Sequence, residues 1–409
     1  MNNKQGIIMN AFNDVYIYET LRTPRTKAKP GTGISSLSSM QIMKPLLDEL
    51  KQRAPGAKKL VGDMILGSAT QTGEQGANVA KLAANYAGWT HLPAMSINRY
   101  CTSALDAMAI AAGKIATGQD QAVLAGGVEM MSRTPMMSDN SPGFMDAQIA
   151  TSASNLPLGI GADLIANLEN ISRADADNYA VRSQQRAALA IAEGRFKRSI
   201  VGIATEQGLV DTDSAPRGGT TTEALGELKA SFQKMGDMGI DKALLAQFRQ
   251  LERIEHIHHA GNSPAMVDGA SLNLMGHKNA IELLGLNPRG RVLAIANACG
   301  DPRLVLSGGI DAAAKVLQQQ GLTANDIDLM EFNESFAATS IYCQRYFDLP
   351  DDKFNVNGGA IALGHPMGAT GAMLVGMALD ELERQDKQIA LIAVSGAIGI
   401  GTAMLVERV

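Results

Sequence analysis

Short apolar runs rich in Val, Ile and Leu alternate along this chain with alanine-rich stretches whose apolar positions recur at helical spacing, the pattern of a parallel α/β core. In the first half, residues 61–66 read as a strand running into Gly67, Ser68 and Ala69. A helix over 75–86 follows, with Val79, Leu82, Ala83 and Tyr86 expected on its buried face. Residues 95–98 form a short strand, 102–117 a helix of small residues, and 121–124 a strand ending in Ala125-Gly126-Gly127. The second half repeats that order. Residues 327–332 make a strand leading into Asn333-Glu334-Ser335, and 336–346 a helix. The segment 355–357 enters a glycine-rich turn; 369–384 form a helix and 389–394 a strand ending in Ser395-Gly396-Ala397. Aligned by element order, Cys101 and His365 each stand just before a long small-residue helix, so two similar halves packed face to face would direct both toward a shared centre.

Between the halves the character changes. Ser172 and Asp175 form a capping box for a helix over 173–193, which Gly194 ends. Residues 211–222 are loop-like, with Pro216, Gly218 and Gly219. This middle section reads as an inserted layer of loops and helices, a usual place for ligand contacts.

The 409 residues are enough for two or three units with a large core and no disulfide staples. Glycine, at 42 residues, is about 10% against a usual ~7%. With aromatics at 4%, the core must rest on Ala, Ile, Leu, Val and the 21 Met. A net charge of −5 gives no global field for a polyphosphate, so nucleic acid is not an expected partner. No apolar run is long enough for a membrane span, and residues 1–13 lack the apolar centre of a secretory signal. Cys101, Cys299 and Cys343 form no paired framework, which fits a reducing, cytoplasmic setting. The group His256, His258 and His259 lacks a companion Cys or well-spaced carboxylate, so structural or ligand-contact work is expected of it rather than metal binding.

Candidate chemistry centres on Cys101, in Asn98-Arg99-Tyr100-Cys101-Thr102-Ser103-Ala104 at a strand-to-helix junction. The helix N–H groups and dipole there are expected to lower the thiol pKa and populate a nucleophilic thiolate; a buried structural thiol is the alternative. In the glycine-rich stretch 355–371, His365 is presented at the turn before a helix, with Pro366 tolerated where its missing N–H is not needed. A histidine so placed can activate a cysteine or donate to an oxyanion. A phosphate loop is the rival, but Gly-Lys-Ser/Thr is absent. Asn333 can fix a water or donate to a carbonyl oxygen, or simply cap its strand. The turn 395–401 offers backbone N–H groups for an oxyanion hole, or is merely tight.

With these residues in hand, the chain resembles the thiolase family, near the acetyl-CoA C-acyltransferases, over essentially its whole length. Thr20–Pro24, 98–105, Gly126-Gly127-Val128-Glu129-Met130-Met131-Ser132, 333–337, 357–371 and 399–409 carry the likeness in order. The resemblance implies an α/β fold of five layers, α-β-α-β-α, in two related halves with an inserted loop domain. It implies a first half over 1–130 and 250–280, a loop domain contacting CoA over 131–249 and a second half over 281–409. It further implies a homodimer or homotetramer, CoA and acyl-CoA as substrates, and no permanently bound cofactor or metal. Cys101 would take the acyl group while His365 accepts its proton; Asn333 and His365 would hold one thioester oxygen, and the backbone N–H groups of Cys101 and Ala397 the other. Arg217, Leu158, Ser263 and Phe336 would contact CoA. The reaction is cleavage of a 3-ketoacyl-CoA by CoA, or condensation of an acyl-CoA with acetyl-CoA.

Four departures stand out. Ser395 occupies the place of the family's second cysteine, which exchanges the α-proton; a thiol suits that step near neutral pH far better than a hydroxyl. An acyltransferase or thioesterase without efficient Claisen chemistry is therefore the alternative. Pro264 stands where the family has a serine contacting pantetheine, and Ala397-Ile398-Gly399 replaces a run of three glycines. Residues 235–258 replace a shorter connection of some relatives.

Overall fold

The computed structural model describes Phe12 and residues 14–409; residues 1–11 and 13, within the stretch read against a secretory signal, lie outside the described residues. The first half runs β1 (Val15–Arg22), α1 (Ser39–Arg53), β2 (Val61–Gly67), α2 (Val79–Tyr86), β3 (Ala94–Ile97), α3 (Ser103–Ala116) and β4 (Ala122–Met130). An inserted stretch contains α4 (Leu158–Leu168), α5 (Arg173–Ala192) and α6 (Asp241–Gln247) before the chain returns as β5 (Val267–His277). The second half runs β6 (Gly290–Cys299), α7 (Gly308–Gln320), β7 (Leu329–Phe332), α8 (Ala337–Tyr346), α9 (Thr370–Gln385), β8 (Ile389–Ser395) and β9 (Ile400–Arg408).

Pairing follows the order β3-β2-β4-β5-β1-β6-β9-β8-β7. In the first half β2 is parallel to β3 and β4, and β5 is antiparallel to β4 and β1. The second half mirrors this: β7 is parallel to β8, and β9 is antiparallel to β8 and β6. A single parallel bridge, Met330↔Phe354, stands where β3 stands in the first half. Among the described residues the halves pair edge to edge through Tyr16↔Arg291 and Ile17↔Gly290. Strand pattern, crossover helices and order are thus duplicated.

Three apolar clusters define the layers. One packs α1 and α2 on the outer face of the first half, and another packs α7 and α8 on the second. The third lies between the halves and draws on α3, α9 and strands of both. Small residues let those two helices meet. A side chain added at Gly371 would lie 2.7 Å from the backbone nitrogen of Leu105, so only glycine fits at that crossing. The result is the five-layer α-β-α-β-α architecture expected from the resemblance.

The expected helix over 75–86 is corrected in extent and facing. A separate turn of 3-10 helix spans Gly73–Gln75, and α2 starts after Asn78, whose side chain accepts from Lys81 N–H. That start turns Val79, Ala80, Ala83 and Ala84 inward, while Leu82 is 45% and Tyr86 52% exposed. The alanines allow a close approach to α1, which the longer side chains would block. The capping box is present: Ser172 Oγ accepts from Asp175 N–H at 3.1 Å, and the Asp175 carboxylate accepts from Ser172 N–H at 2.9 Å. Gly194, at φ +70°, follows the helix end.

Candidate active site

The Cys101 turn is built by side chains. Tyr100 adopts a left-handed φ of +51°, uncommon for a bulky residue, and its N–H donates to Asn98 Oδ1 at 2.8 Å. Arg99 N–H donates to Ser103 Oγ at 2.8 Å, and that hydroxyl donates to Tyr100 O at 2.6 Å. Asp106, in the first turn of α3, accepts from Arg99 Nη1, Thr102 Oγ1, Asn297 Nδ2 and Thr402 Oγ1. The last two belong to β6 and β9, so one buried carboxylate ties the turn to the other half.

The His365 turn is built by backbone. His365 N–H donates to Ala265 O at 2.9 Å, and Gly364, at φ +91°, packs so tightly on Val267 that a Cβ would fall 2.2 Å from its side chain. The ring is held at Nδ1 by Thr370 Oγ1 at 2.7 Å, while Nε2 is buried with no hydrogen-bond partner. The tautomer that donates from Nδ1 to Thr370 leaves Nε2 as an open lone pair.

Glu129 joins the His365 turn to the turn that follows β2. Its buried carboxyl accepts from the N–H groups of Ala69 at 2.8 Å, Thr70 at 3.2 Å and Gly368 at 2.9 Å, and from Gln75 Nε2 at 2.7 Å. The turn after β8 closes the site: a side chain at Gly396 would sit 3.4 Å from Tyr100 Cβ. Within this turn Ile398 is left-handed at φ +58°, a strained state for a β-branched residue.

Burial dominates the ionisation. It pushes the Cys101 thiol up to about 12, helped by nearby Glu129 and opposed by a backbone hydrogen bond. His365 is pushed down to about 3, by burial first and by Arg25 second. The expected resting thiolate is therefore corrected. Cys101 is only 8% exposed, and the desolvation of its thiol outweighs what the backbone hydrogen bond at the turn returns. The resting pair is a neutral thiol and a neutral imidazole.

Asn333 ends β7, buried; its Nδ2 donates to Ser335 Oγ at 3.1 Å and its Oδ1 has no partner. Ser395 is fully buried, and its Oγ accepts from Gly309 N–H at the start of α7, 3.0 Å away. Leu158 and Phe336 pack into one apolar cluster with Val305 and Leu306, and Phe232 meets the Phe336 ring edge-on at 6.0 Å. Ser263 Oγ is buried without a partner, two residues before the carbonyl that holds His365. Arg217 lies apart, exposed on its loop, its N–H donating to Gln184 Oε1 at 2.6 Å. Cys299 is exposed and Cys343 buried.

Among the described residues, no group of three or more His, Cys, Asp or Glu is arranged to hold a metal. The histidine group holds carboxylates instead. His256 and His258 each bond Asp163 at 2.7 Å through Nδ1, and His259 bonds Asp177 at 2.9 Å. Asp106, Thr370, Arg25 and Glu129 are further site residues, and the sequence pattern around the first three carries no sign of it. A lone acid in the apolar run of β4 was the available signal for Glu129.

Duplicated halves with a cysteine and a histidine presented at equivalent helix starts define an acyl-transfer enzyme. The chain matches "Thiolase, N-terminal domain" over residues 15–240 and "Thiolase, C-terminal domain" over 286–408, and it belongs to the thiolase family, with thiolase-type acyl-CoA chemistry as its activity. It is 35% identical to the 3-oxoadipyl-CoA/3-oxo-5,6-dehydrosuberyl-CoA thiolase of Escherichia coli (strain K12), covering 97% of this chain and 100% of that protein. It is likewise 35% identical to the 3-ketoacyl-CoA thiolase of Marinomonas sp. (strain MWYL1), over 97% of this chain and 99% of the other. Among solved structures, the Bacillus anthracis acetyl-CoA acetyltransferase superposes with a TM-score of 0.84 at 28% identity, covering 98% of this chain and 100% of that one. No helix among the described residues is long and apolar enough to cross a membrane.

Proposed function

We propose that the chain transfers acyl groups through an acyl-cysteine at Cys101, cleaving 3-ketoacyl-CoA with CoA or running the reverse condensation with acetyl-CoA. The observation that carries this reading is the open Nε2 of a buried His365, flanked in the chain by Leu363 and Met367, which share one apolar cluster with Cys101. In cleavage, the sulfur attacks the 3-keto carbon as its proton passes to Nε2, and the bond between the α- and β-carbons breaks. The released acetyl-CoA carbanion takes that proton back from Nε2, which restores a neutral ring. CoA then loses its thiol proton to the ring and attacks the acyl-cysteine carbonyl; the carbon–sulfur bond to Cys101 breaks, the shortened acyl-CoA leaves, and the freed Cys101 sulfur takes the proton from the ring. Because the thiol rests neutral, proton transfer accompanies attack rather than preceding it. The Asn333 side chain and His365 support one thioester oxygen; the N–H groups of Cys101 and Ala397 support the other. Leu158, Phe336, Ser263 and Arg217 contact CoA, and Pro264 supplies one polar contact fewer than a serine would. We assign residues 1–130 and 250–280 to the first half, 131–249 to the CoA-contacting loop domain and 281–409 to the second half, in a homodimer or homotetramer.

Ser395 favours a second reading, acyl transfer or thioester hydrolysis without efficient carbon–carbon chemistry, because its hydroxyl is a poor α-proton exchanger and already accepts from Gly309. Intact mass after incubation with acetyl-CoA and with 3-ketoacyl-CoAs, together with released CoA, separates the two. A Cys101 adduct with turnover of 3-ketoacyl-CoA is the expected result, lost by about 10⁴-fold or more in Cys101→Ala. An adduct without cleavage selects the second reading, and no adduct overturns both. Ser395→Cys is expected to raise the condensation rate where the serine limits it.

A further inference from the structure

Arg25 is a buried cation whose guanidinium, among the described residues, bonds no carboxylate. Its backbone N–H donates to Asp213 Oδ1 at 2.7 Å, but that carboxylate is engaged by both terminal nitrogens of Arg22, at 2.7 and 2.8 Å. The Arg25 guanidinium instead donates through Nη1 to Gly364 O at 3.2 Å and through Nη2 to Met377 Sδ at 2.8 Å, while Nε has no partner. Among the described residues no carboxylate stands at salt-bridge distance from it. A fully buried charge bonded to a carbonyl and a thioether is costly, and such a residue is expected to be neutralised or replaced unless its charge acts on something nearby.

Its nearest functional neighbour is His365, one residue beyond the carbonyl it holds. The groups facing Arg25 come from every element around it: Arg22 and Asp213 from β1 and the inserted loop, Glu331 and Glu334 from β7 and the turn after it. Glu331 makes no hydrogen bond to it: both its oxygens are buried without partners, and burial raises its carboxyl well above the usual range. Glu334 is also raised by burial and is spent on Tyr179, Ser183 and Ile361 N–H. Arg25, pushed down to about 10 by burial and by Arg22, stays charged at neutral pH. On the ring itself Arg25 acts together with burial, and Thr370 is an uncharged partner.

We propose that Arg25 is a positioning residue for His365: its guanidinium pins the carbonyl that precedes the imidazole and sets a buried positive charge beside the ring whose Nε2 stands open. The proposal rests on the reading of His365 as the base that serves Cys101. The functional consequence is a base that receives the thiol proton only in the transition state and returns it quickly to a leaving group, since the imidazolium is held beside a like charge.

The test uses the full chain labelled with [13C]histidine, the His365 signal being assigned with His365→Asn. Arg25→Met, close in volume and uncharged, is expected to raise the protonated fraction of His365 at pH 5 roughly tenfold, and to move the acid limb of kcat/KM for 3-ketoacyl-CoA cleavage up by about one pH unit. Arg25→Lys, which keeps the charge and loses the fork, is expected to hold both at their original values. Where the apolar variant does not fold, Arg25→Gln takes its place. An unmoved ring titration in the uncharged variant overturns the proposal, as does an equal shift in Arg25→Lys. If turnover proves independent of His365, the catalytic reading fails by that result alone, while the ring titration still decides whether Arg25 governs its charge.

Discussion

The two helix starts that bear Cys101 and His365 occupy equivalent places in duplicated halves, yet they are held by different means. Before α3, side chains do the fixing: Asn98, Thr102, Ser103 and Asp106 bond the turn, and Tyr100 is kept left-handed. Before α9 the turn's own side chains do little: glycine and backbone set its course, Glu129 and Arg25 from elsewhere hold Gly368 N–H and Gly364 O, and Thr370 bonds the ring. A nucleophile must hold one angle of attack, and several short polar side chains over-determine it. A base that serves two successive proton transfers needs only a fixed ring and an open nitrogen. Duplication therefore supplied the placement, while the local chemistry diverged with the task.

This contrast can be broken by experiment. Asp106→Ala is expected to have the largest effect, because four donors lose one acceptor. We expect destabilisation on the order of 3 kcal/mol in denaturant unfolding, and slowed acylation of the remaining folded enzyme. Thr370→Val should cost only about 1 kcal/mol, since one hydrogen bond to an uncharged ring is lost. A larger loss in Thr370→Val than in Asp106→Ala would reverse the comparison. The smallest effect lies outside the site. His256 sits between Asp163 and Asp241, with Nε2 3.0 Å from the latter, and Asp163 above all raises it from 6.5 to about 9. A raised histidine stabilises the fold fully below its unfolded value and loses that contribution as pH rises through its folded value. Amide exchange in α6, corrected for intrinsic rate, should therefore quicken as pH passes about 9, and His256→Gln should remove that step.

Much of the architecture is legible in the residues. Alternating strands and small-residue helices, the repeat of their order and the places of Cys101 and His365 follow from local pattern. The facing of α2 does not, because alanine carries too weak a signal against Leu82 and Tyr86, and tertiary approach decides. Nor does the ionisation of Cys101, since the helix end is visible locally while burial is contributed by segments hundreds of residues away. Arg25 lies in Arg22-Thr23-Pro24-Arg25-Thr26-Lys27, where a cation reads as surface until Gly364 and Met377 close over it. The bond from Gly309 to Ser395 likewise joins residues with no sequence signal in common.

The crossing of Gly371 over Leu105 also orders events during synthesis. The sulfur emerges from the ribosome long before the imidazole, the glycine turn after β8 and the helix that covers it. Because the same late segments that complete the catalytic wall also supply the crossing partner, an unfinished chain has a cysteine but no neighbouring base to deprotonate it. A fragment that stops short of residue 365 therefore carries the sulfur without the imidazole, and without the helix whose glycine lets the two halves close.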